Sequence, residues 1–295
     1  MSAPITIPAP AKLNLHLGIH PGVDADGYHR ADSLMVALGI ADEVVVRPLA
    51  PGAALQVRCD PPMDLPQEKN TAYRASVALA EAFGRESAVE VLLRKRVPSQ
   101  AGLGGASSDA ASVLMALCEA WGIDARDARV AQVARSVGAD VAFFLDPVPT
   151  LLVGRGDVVA EKFPSLVEPV PVVLVRPVGG GVSTPAAYRE FDECHDEPGD
   201  PEPLCALLRT GVATPARIAQ LLSNNLDPVA CRLLPQVAQV RDWLRGHERV
   251  LGAQVSGSGS CVFGICASLA DAEVTARAAV EAFGPGTWAC VSSFA

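Results

Sequence analysis

Val97-Pro98-Ser99-Gln100-Ala101-Gly102-Leu103-Gly104-Gly105-Ala106-Ser107-Ser108-Asp109 is the stretch on which the reading of this chain turns. Its glycines at 102, 104 and 105 permit positive φ and close backbone approach. The residues after it, Ala110, Val113, Leu114, Leu117 and Trp121, recur at the spacing of one helical face. Before it, Val89 to Leu93 reads as a strand. Strand, glycine loop and helix in that order aim the partially positive N-terminal amides of a helix at the loop, which makes an anion cradle. Ser107 or Ser108 can cap that helix, and either hydroxyl can meet a phosphate or Mg²⁺. A Walker loop needs Gly-Lys-Ser/Thr, and none of Lys12, Lys69, Lys95 and Lys162 follows a glycine. A dinucleotide fingerprint wants glycine where Ser107 stands. Spacing alone therefore leaves phosphate binding and a structural turn both open.

Upstream, Lys12 to His20 alternates polar and apolar residues at the period of a half-buried strand, with Leu13, Leu15, Leu17 and Ile19 toward the core. Lys12 and Asn14 then share the opposite face, roughly 6.6 Å apart by the strand rise, lining a cleft or facing solvent. His16 and His20 would sit roughly 13 Å apart on that strand, too far to share an ion, and read as structural. A turn-rich Pro21 to Gly27 precedes strands near Ser33 to Ile40 and Glu43 to Arg47, and a helix over Asn70 to Phe83 ends at Gly84. Downstream the pattern predicts a helix over Val130 to Val137, a short buried strand at Val141 to Leu145, and a hairpin around Gly154-Arg155-Gly156. It continues with a strand at Val170 to Val175, an acidic loop from Asp192 to Pro203, and helices over Pro215 to Leu222 and Pro228 to Leu244. A hairpin (Ala253 to Cys266), a helix (Ala270 to Phe283) and a strand (Cys290 to Phe294) close the chain.

The 295 residues are 49% hydrophobic, with a mean hydropathy of +0.26. That is enough to bury a sizeable core in one large domain or two. The 24 Lys and Arg against 33 Asp and Glu give a net charge of -9. Such a balance argues against a nucleic-acid or anionic-membrane surface. The N-terminal residues lack the pattern of a secretory signal and no apolar run approaches membrane length, so a cytoplasmic protein is expected. The eight cysteines form no CxxC pair and read as reduced, mostly buried thiols.

The loop in the form Pro98-x-x-x-Gly102-Leu103-Gly104-Gly105-Ala106-Ser107-Ser108-Asp109 resembles the ATP-binding signature of the GHMP kinases. Pro10-Ala11-Lys12-Leu13-Asn14-Leu15 resembles that family's first motif, and Val255-Ser256-Gly257-Ser258-Gly259-Ser260-Cys261 its third, in the expected order. Asp26-Gly27-Tyr28-His29, with Val137-Gly138-Ala139-Asp140-Val141, is similar to the branch whose acceptor is the cytidyl alcohol 4-diphosphocytidyl-2-C-methyl-D-erythritol, in non-mevalonate isoprenoid precursor biosynthesis. Ser99-Gln100-Ala101, where members often carry more glycine, and Val137, where leucine is usual, depart from the pattern without removing a catalytic side chain.

The resemblance implies an α+β fold of two lobes: residues 1–166 like domain 2 of ribosomal protein S5, and residues 167–295 ferredoxin-like. It implies ATP and Mg²⁺, with Asp140 as base and Lys12 beside it. ATP contacts fall on Asn70, Lys95, Pro98, Gly102, Leu103, Gly104, Gly105, Ala106, Ser107 and Ser108, and Ser108 is the metal contact. Asn14 orients the acceptor, and Tyr28, His29 and Tyr188 hold the cytosine. Ser256 to Gly259 closes over phosphates, braces the loop or is a plain hairpin turn. A GHMP kinase of the homoserine or mevalonate type, or a non-catalytic nucleotide-binding relative, stands as the alternative. No obligate protein partner is implied.

Overall fold

The computed structural model describes residues 3–194 and 196–295. The chain divides into two compact units, each assembled from separated segments. β1 (Ile5–Val23) and β2 (His29–Pro48) are long enough to contribute to both.

The first unit comprises the stretch ending at Ala11, Ile40–Pro98 and Gly104–Pro147. It continues with β3 (Gln56–Asp60), α1 (Thr71–Phe83), β4 (Val89–Arg94), α2 (Gly105–Trp121), α3 (Ala128–Val137) and α4 (Val141–Phe144). Its strands lie in the order β3-β4-β2-β1, with β4 antiparallel to β2 from Glu43↔Arg94 to Pro48↔Val89. Asn70 opens α1 by accepting from the amide of Ala72 at 2.9 Å, and Gly84 ends it in the left-handed region at φ 58°. Both are ordinary helix-end devices, an Asx cap and a glycine stop. Of the apolar faces predicted for α1 and α2, Ala72, Ala75, Leu79, Ala110, Val113, Leu114 and Leu117 are each 0% exposed, whereas Ala82 is exposed and Trp121 half-buried near the helix ends.

Two expectations change here. Gly104, at φ 71°, is the residue from which α2 starts, so Ser107 and Ser108 lie inside the helix and do not cap it. Val141 to Leu145 is helical, not extended. Asp140 already has helical φ and ψ (-71°, -14°), and the amide of Val141 donates back to the Gly138 carbonyl at 3.1 Å. A buried apolar run this short has no period by which strand and helix can be told apart.

The second unit comprises Lys12–Gly39, Ser99–Leu103 and Val148–Ala295. It adds β5 (Thr150–Val153), β6 (Val158–Lys162), β7 (Val170–Arg176), α5 (Thr184–Glu193), α6 (Glu202–Arg209), α7 (Pro215–Ala219) and β8 (Ser223–Asn224). Then follow α8 (Asp227–Leu233), α9 (Pro235–Gly246), β9 (Val250–Val255), β10 (Val262–Cys266), α10 (Leu269–Phe283) and β11 (Trp288–Phe294). One sheet runs β6-β5-β2-β1-β8 and the other, wholly antiparallel, β11-β7-β10-β9. Leu17, Ile19, Val173, Val175, Phe191, Val240, Val255 and Val262 are among the residues of one core cluster.

The helix predicted over Pro228 to Leu244 is two helices, broken at Leu234. Pro235 disfavours helical geometry in the residue before it. Of the acidic stretch predicted as a loop, Asp192 and Glu193 belong to α5, and Glu202 and Pro203 to α6. All eight cysteines are free; Cys118, Cys205, Cys261 and Cys266 are buried and Cys194 is exposed. Among the described residues no helix is long and apolar enough to cross a membrane.

Candidate active site

In the second unit, β1 is buried on both faces: Leu13 and Leu15 are 0% exposed, Lys12 3% and Asn14 1%. A buried ammonium requires acceptors. Lys12 Nζ donates to Asn14 Oδ1 at 2.5 Å, and Asn14 Nδ2 donates to Ser33 Oγ at 2.7 Å. The backbone amide of Lys12 donates to the Leu103 carbonyl at 2.9 Å, which ties the glycine loop to the first motif.

The third motif closes on the same point. Ser256 Oγ donates to the Gly102 carbonyl at 2.9 Å, and the amide of Cys261 to the Ala101 carbonyl at 3.0 Å. Gly102, at φ +75°, stands so near that a Cβ on it would lie 1.9 Å from the Ser256 carbonyl oxygen. A Cβ on Gly257 would lie 3.2 Å from Lys12 Nζ and 3.4 Å from Asn14 Oδ1. Three segments spread over most of the sequence thus meet around one buried ammonium, and of the roles weighed for Ser256 to Gly259, bracing the loop is the one these contacts display.

The other half of the loop, Gly104 to Ser108, lies in the first unit with Asn70, Lys95, Pro98 and Asp140. Thr71 Oγ1 donates to the Ala106 carbonyl at 2.8 Å. Lys95 Nζ bridges the carboxylates of Asp42 and Asp109, the latter at 2.5 Å, and Asp42 Oδ1 also accepts from the amides of Arg96 and Val97. Burial opposes the Lys95 charge, but the two carboxylates outweigh it and hold its pKa above the ordinary value. Burial pushes the Asp109 carboxyl up to about 7, against the pull of Lys95 and with help from the like charge of Asp42. Ser108 Oγ and Asp109 Oδ1 are buried with no hydrogen-bond partner among the described residues.

Asn70 also lines a cavity of about 310 Å³ with Val57, Arg58, Cys59, Met63, Leu65 and Gln67. An apolar wall that also carries two amides and a guanidinium suits a flat heterocycle with polar edges. Asp140 precedes α4 and makes no side-chain capping bond there.

Tyr28, His29 and Tyr188 lie in the second unit. Tyr28 is 56% exposed, and Arg155 lays its guanidinium over the ring 4.4 Å from the centroid while pairing with Asp24 at 2.7 Å and with Asp26. His29 is buried; Tyr188 stacks on its ring with centroids 5.4 Å apart, and Phe191 meets it edge-on at 5.6 Å. Its Nδ1 donates to the His20 carbonyl at 3.0 Å, and its Nε2 lies 3.1 Å from Asp192 Oδ1. His20 pairs with Asp32 at 2.5 Å, and among the described residues no group of His, Cys, Asp and Glu could hold a metal.

Sequence reasoning missed Asp42, Ser33, Arg155 and Asp192. Asp42 and Ser33 carry no motif, and only the folded sheet shows them buried against Lys95 and Asn14. Arg155 stood in the predicted hairpin turn without a reason to face Tyr28. Asp192 was legible in principle: it follows Tyr188 by four residues, one helical turn, but the acidic run hid the end of α5.

The GHMP kinase N-terminal domain model matches residues 70–146, and the GHMP kinase C-terminal model matches residues 206–285. A 4-diphosphocytidyl-2-C-methyl-D-erythritol kinase of Pelotomaculum thermopropionicum is 38% identical over 277 residues, covering 92% of this chain and 93% of its own. The enzyme of the same name from Nocardia farcinica is 34% identical and covers 96% and 91%. A crystal structure of 4-(cytidine 5'-diphospho)-2C-methyl-D-erythritol kinase superposes with a TM-score of 0.74 at 33% identity, over 99% of this chain and 100% of that one. A homoserine kinase from Cytophaga hutchinsonii has the same fold, with a TM-score of 0.73 at 20% identity over 100% and 96%.

Proposed function

Since the chain belongs to the 4-diphosphocytidyl-2-C-methyl-D-erythritol kinase family of the GHMP kinases, we propose that it transfers the γ-phosphoryl group of ATP to the 2-hydroxyl of that cytidyl alcohol. The observation that carries the reading is the buried chain Lys12, Asn14, Ser33, held against the glycine loop through the Leu103 carbonyl and against Gly257. Solvating a lone ammonium is cheap on a surface and costly in a core, so an ammonium fixed this way suits charge that appears during reaction.

Phosphoryl transfer asks for alignment, charge neutralisation and a group that receives the acceptor's proton. In this reading the loop amides from Gly102 to Ser108 hold the ATP phosphates, and Lys12 offsets charge on the phosphoryl group in flight. Asn14, whose side chain is fixed at both ends, orients the acceptor hydroxyl, and the Asp140 carboxylate takes its proton. Asn70, at the 310 Å³ cavity, and Lys95, held by Asp42 and Asp109, serve the adenosine end. Tyr28, His29 and Tyr188 serve the cytosine end. Mg²⁺ would neutralise phosphate charge; Ser108, a buried hydroxyl with no partner among the described residues, fits a role as its protein contact beside phosphate oxygens. A GHMP N-terminal match on one side of residue 166 and a C-terminal match on the other support ATP-binding and second lobes at 1–166 and 167–295. A cytoplasmic location belongs to the same reading.

Asp140→Asn tests the assignment of the base. Turnover should fall by about 100-fold or more while ATP binding, followed by calorimetry, stays within about 3-fold. Unchanged turnover would remove Asp140 from the chemistry.

A further inference from the structure

We propose that Asp192 is a specificity residue for the base of the acceptor: its carboxylate accepts a hydrogen bond from the exocyclic amino group of cytosine and thereby rejects uracil. The inference rests on the reading of Tyr28, His29 and Tyr188 as a cytosine site.

Tyr188, Phe191 and Asp192 occupy positions i, i+3 and i+4 of α5, so they present one face. That face is applied to His29. Tyr188 stacks on the ring, Phe191 meets its plane at 87°, and Asp192 Oδ1 takes the Nε2 end at 3.1 Å. His29 is itself fixed at the other end by the His20 carbonyl, and its side chain is only 5% exposed. The ring, lying between the His20 carbonyl and Asp192 Oδ1, acts as a buried bracket for the carboxylate, and Nε2 donates to it in the form that carries a proton on both ring nitrogens. Asp192 is 54% exposed at its side chain, so it reaches solvent while one oxygen is held.

An ionised carboxylate only accepts hydrogen bonds. A carboxylate on the same helix face as Tyr188 and against His29 therefore selects a base that offers a donor at its edge. Cytosine offers its amino group there, and carboxylates pair with that group; uracil places a carbonyl oxygen at the same position and meets the carboxylate acceptor to acceptor. Stacking by itself cannot make this distinction, because both pyrimidines present a π-face.

The test is the binding of CDP and UDP by calorimetry to the wild type, Asp192→Asn and Tyr28→Ala. The wild type should prefer CDP. Asp192→Asn, whose amide can donate as well as accept, should shrink that preference by about 5- to 30-fold, the scale of one hydrogen bond to a charged group. ATP affinity and thermal stability should stay at the wild-type level, since the Asp192 side chain is more than half exposed and asparagine keeps its shape. An unchanged CDP-to-UDP ratio in Asp192→Asn, with both ligands weakened by Tyr28→Ala, overturns the role of Asp192 and leaves the cytosine site standing. If Tyr28→Ala weakens neither ligand, the site itself fails and Asp192 with it.

Discussion

Replacing Gly102 by alanine should uncouple activity from folding. Two costs arise at this position. Gly102 has a φ of 75°. Holding an L-residue in that left-handed region costs about 1–2 kcal/mol. The added Cβ would also stand 1.9 Å from the Ser256 carbonyl oxygen. The two backbones must part by about 1.5 Å to reach ordinary contact. That oxygen is no flexible tip: it accepts from the amide of Gly259 at 2.9 Å. Parting the two loops strains the Ser256 to Gly102 and Cys261 to Ala101 hydrogen bonds, and moves Leu103, on which Lys12 is pinned. A misplacement of about 1 Å in a reacting array costs on the order of 100-fold. In an ADP-release assay kcat should therefore fall by about 100-fold or more, with a melting temperature lowered by only a few degrees. Gly84→Ala is the control, since φ is +58° there and no atom lies within 4 Å of the new Cβ. It carries the strain without the collision and should lower the melting temperature with kcat intact. A Gly102→Ala enzyme within about 2-fold of wild type in kcat and kcat/KM would refute the argument.

Asn14→Ala removes an acceptor from the Lys12 ammonium and the donor to Ser33 Oγ, so it should cost about 1–3 kcal/mol of stability and lower kcat at least 10-fold while KM for ATP is kept; chemical denaturation and steady-state kinetics read the two effects. The Asp109 carboxyl is raised to about 7, so the folded protein keeps a proton that the unfolded chain releases in the ordinary carboxylate range. The stability this confers is present at low pH and is lost as pH rises toward and through the folded-state value. Melting temperatures of the wild type against Asp109→Asn from about pH 5 to 8 should show a declining contribution in the wild type that the variant lacks. Tyr28→Ala should raise KM for the cytidyl alcohol by about 5-fold or more with kcat little changed, and an equal kcat/KM in steady-state assays would count against a stacking role.

Where the sequence was informative, the reason was local. Asn70 and Gly84 bound α1 because an Asx cap and a left-handed glycine are properties of single residues, and the strand-loop-helix order around Gly102 to Gly105 follows from short-range periodicity. The burial of Lys12 and Asn14 could not be read, because an alternating pattern marks one face as apolar and leaves the other undecided. It is Ser33, Gln254 and Gly257, distant in sequence, that cover that face; Gln254 donates to the Asn14 carbonyl at 2.9 Å. The same limit hid Asp42, whose contacts to Lys95, Arg96 and Val97 cross more than fifty positions of chain. That each compact unit draws on separated segments was likewise not visible, since β1 read as a strand only from Lys12 to His20 and the single strand β2 read as two, Ser33 to Ile40 and Glu43 to Arg47.

The central claim is the identity of the acceptor. ADP release should be measured with 4-diphosphocytidyl-2-C-methyl-D-erythritol, homoserine and mevalonate in parallel, with the phosphorylated product identified by mass. The account predicts stoichiometric ADP and a monophosphorylated product with the cytidyl alcohol alone. Turnover of homoserine or mevalonate in its place, or ATP binding with no turnover of any acceptor, would contradict it.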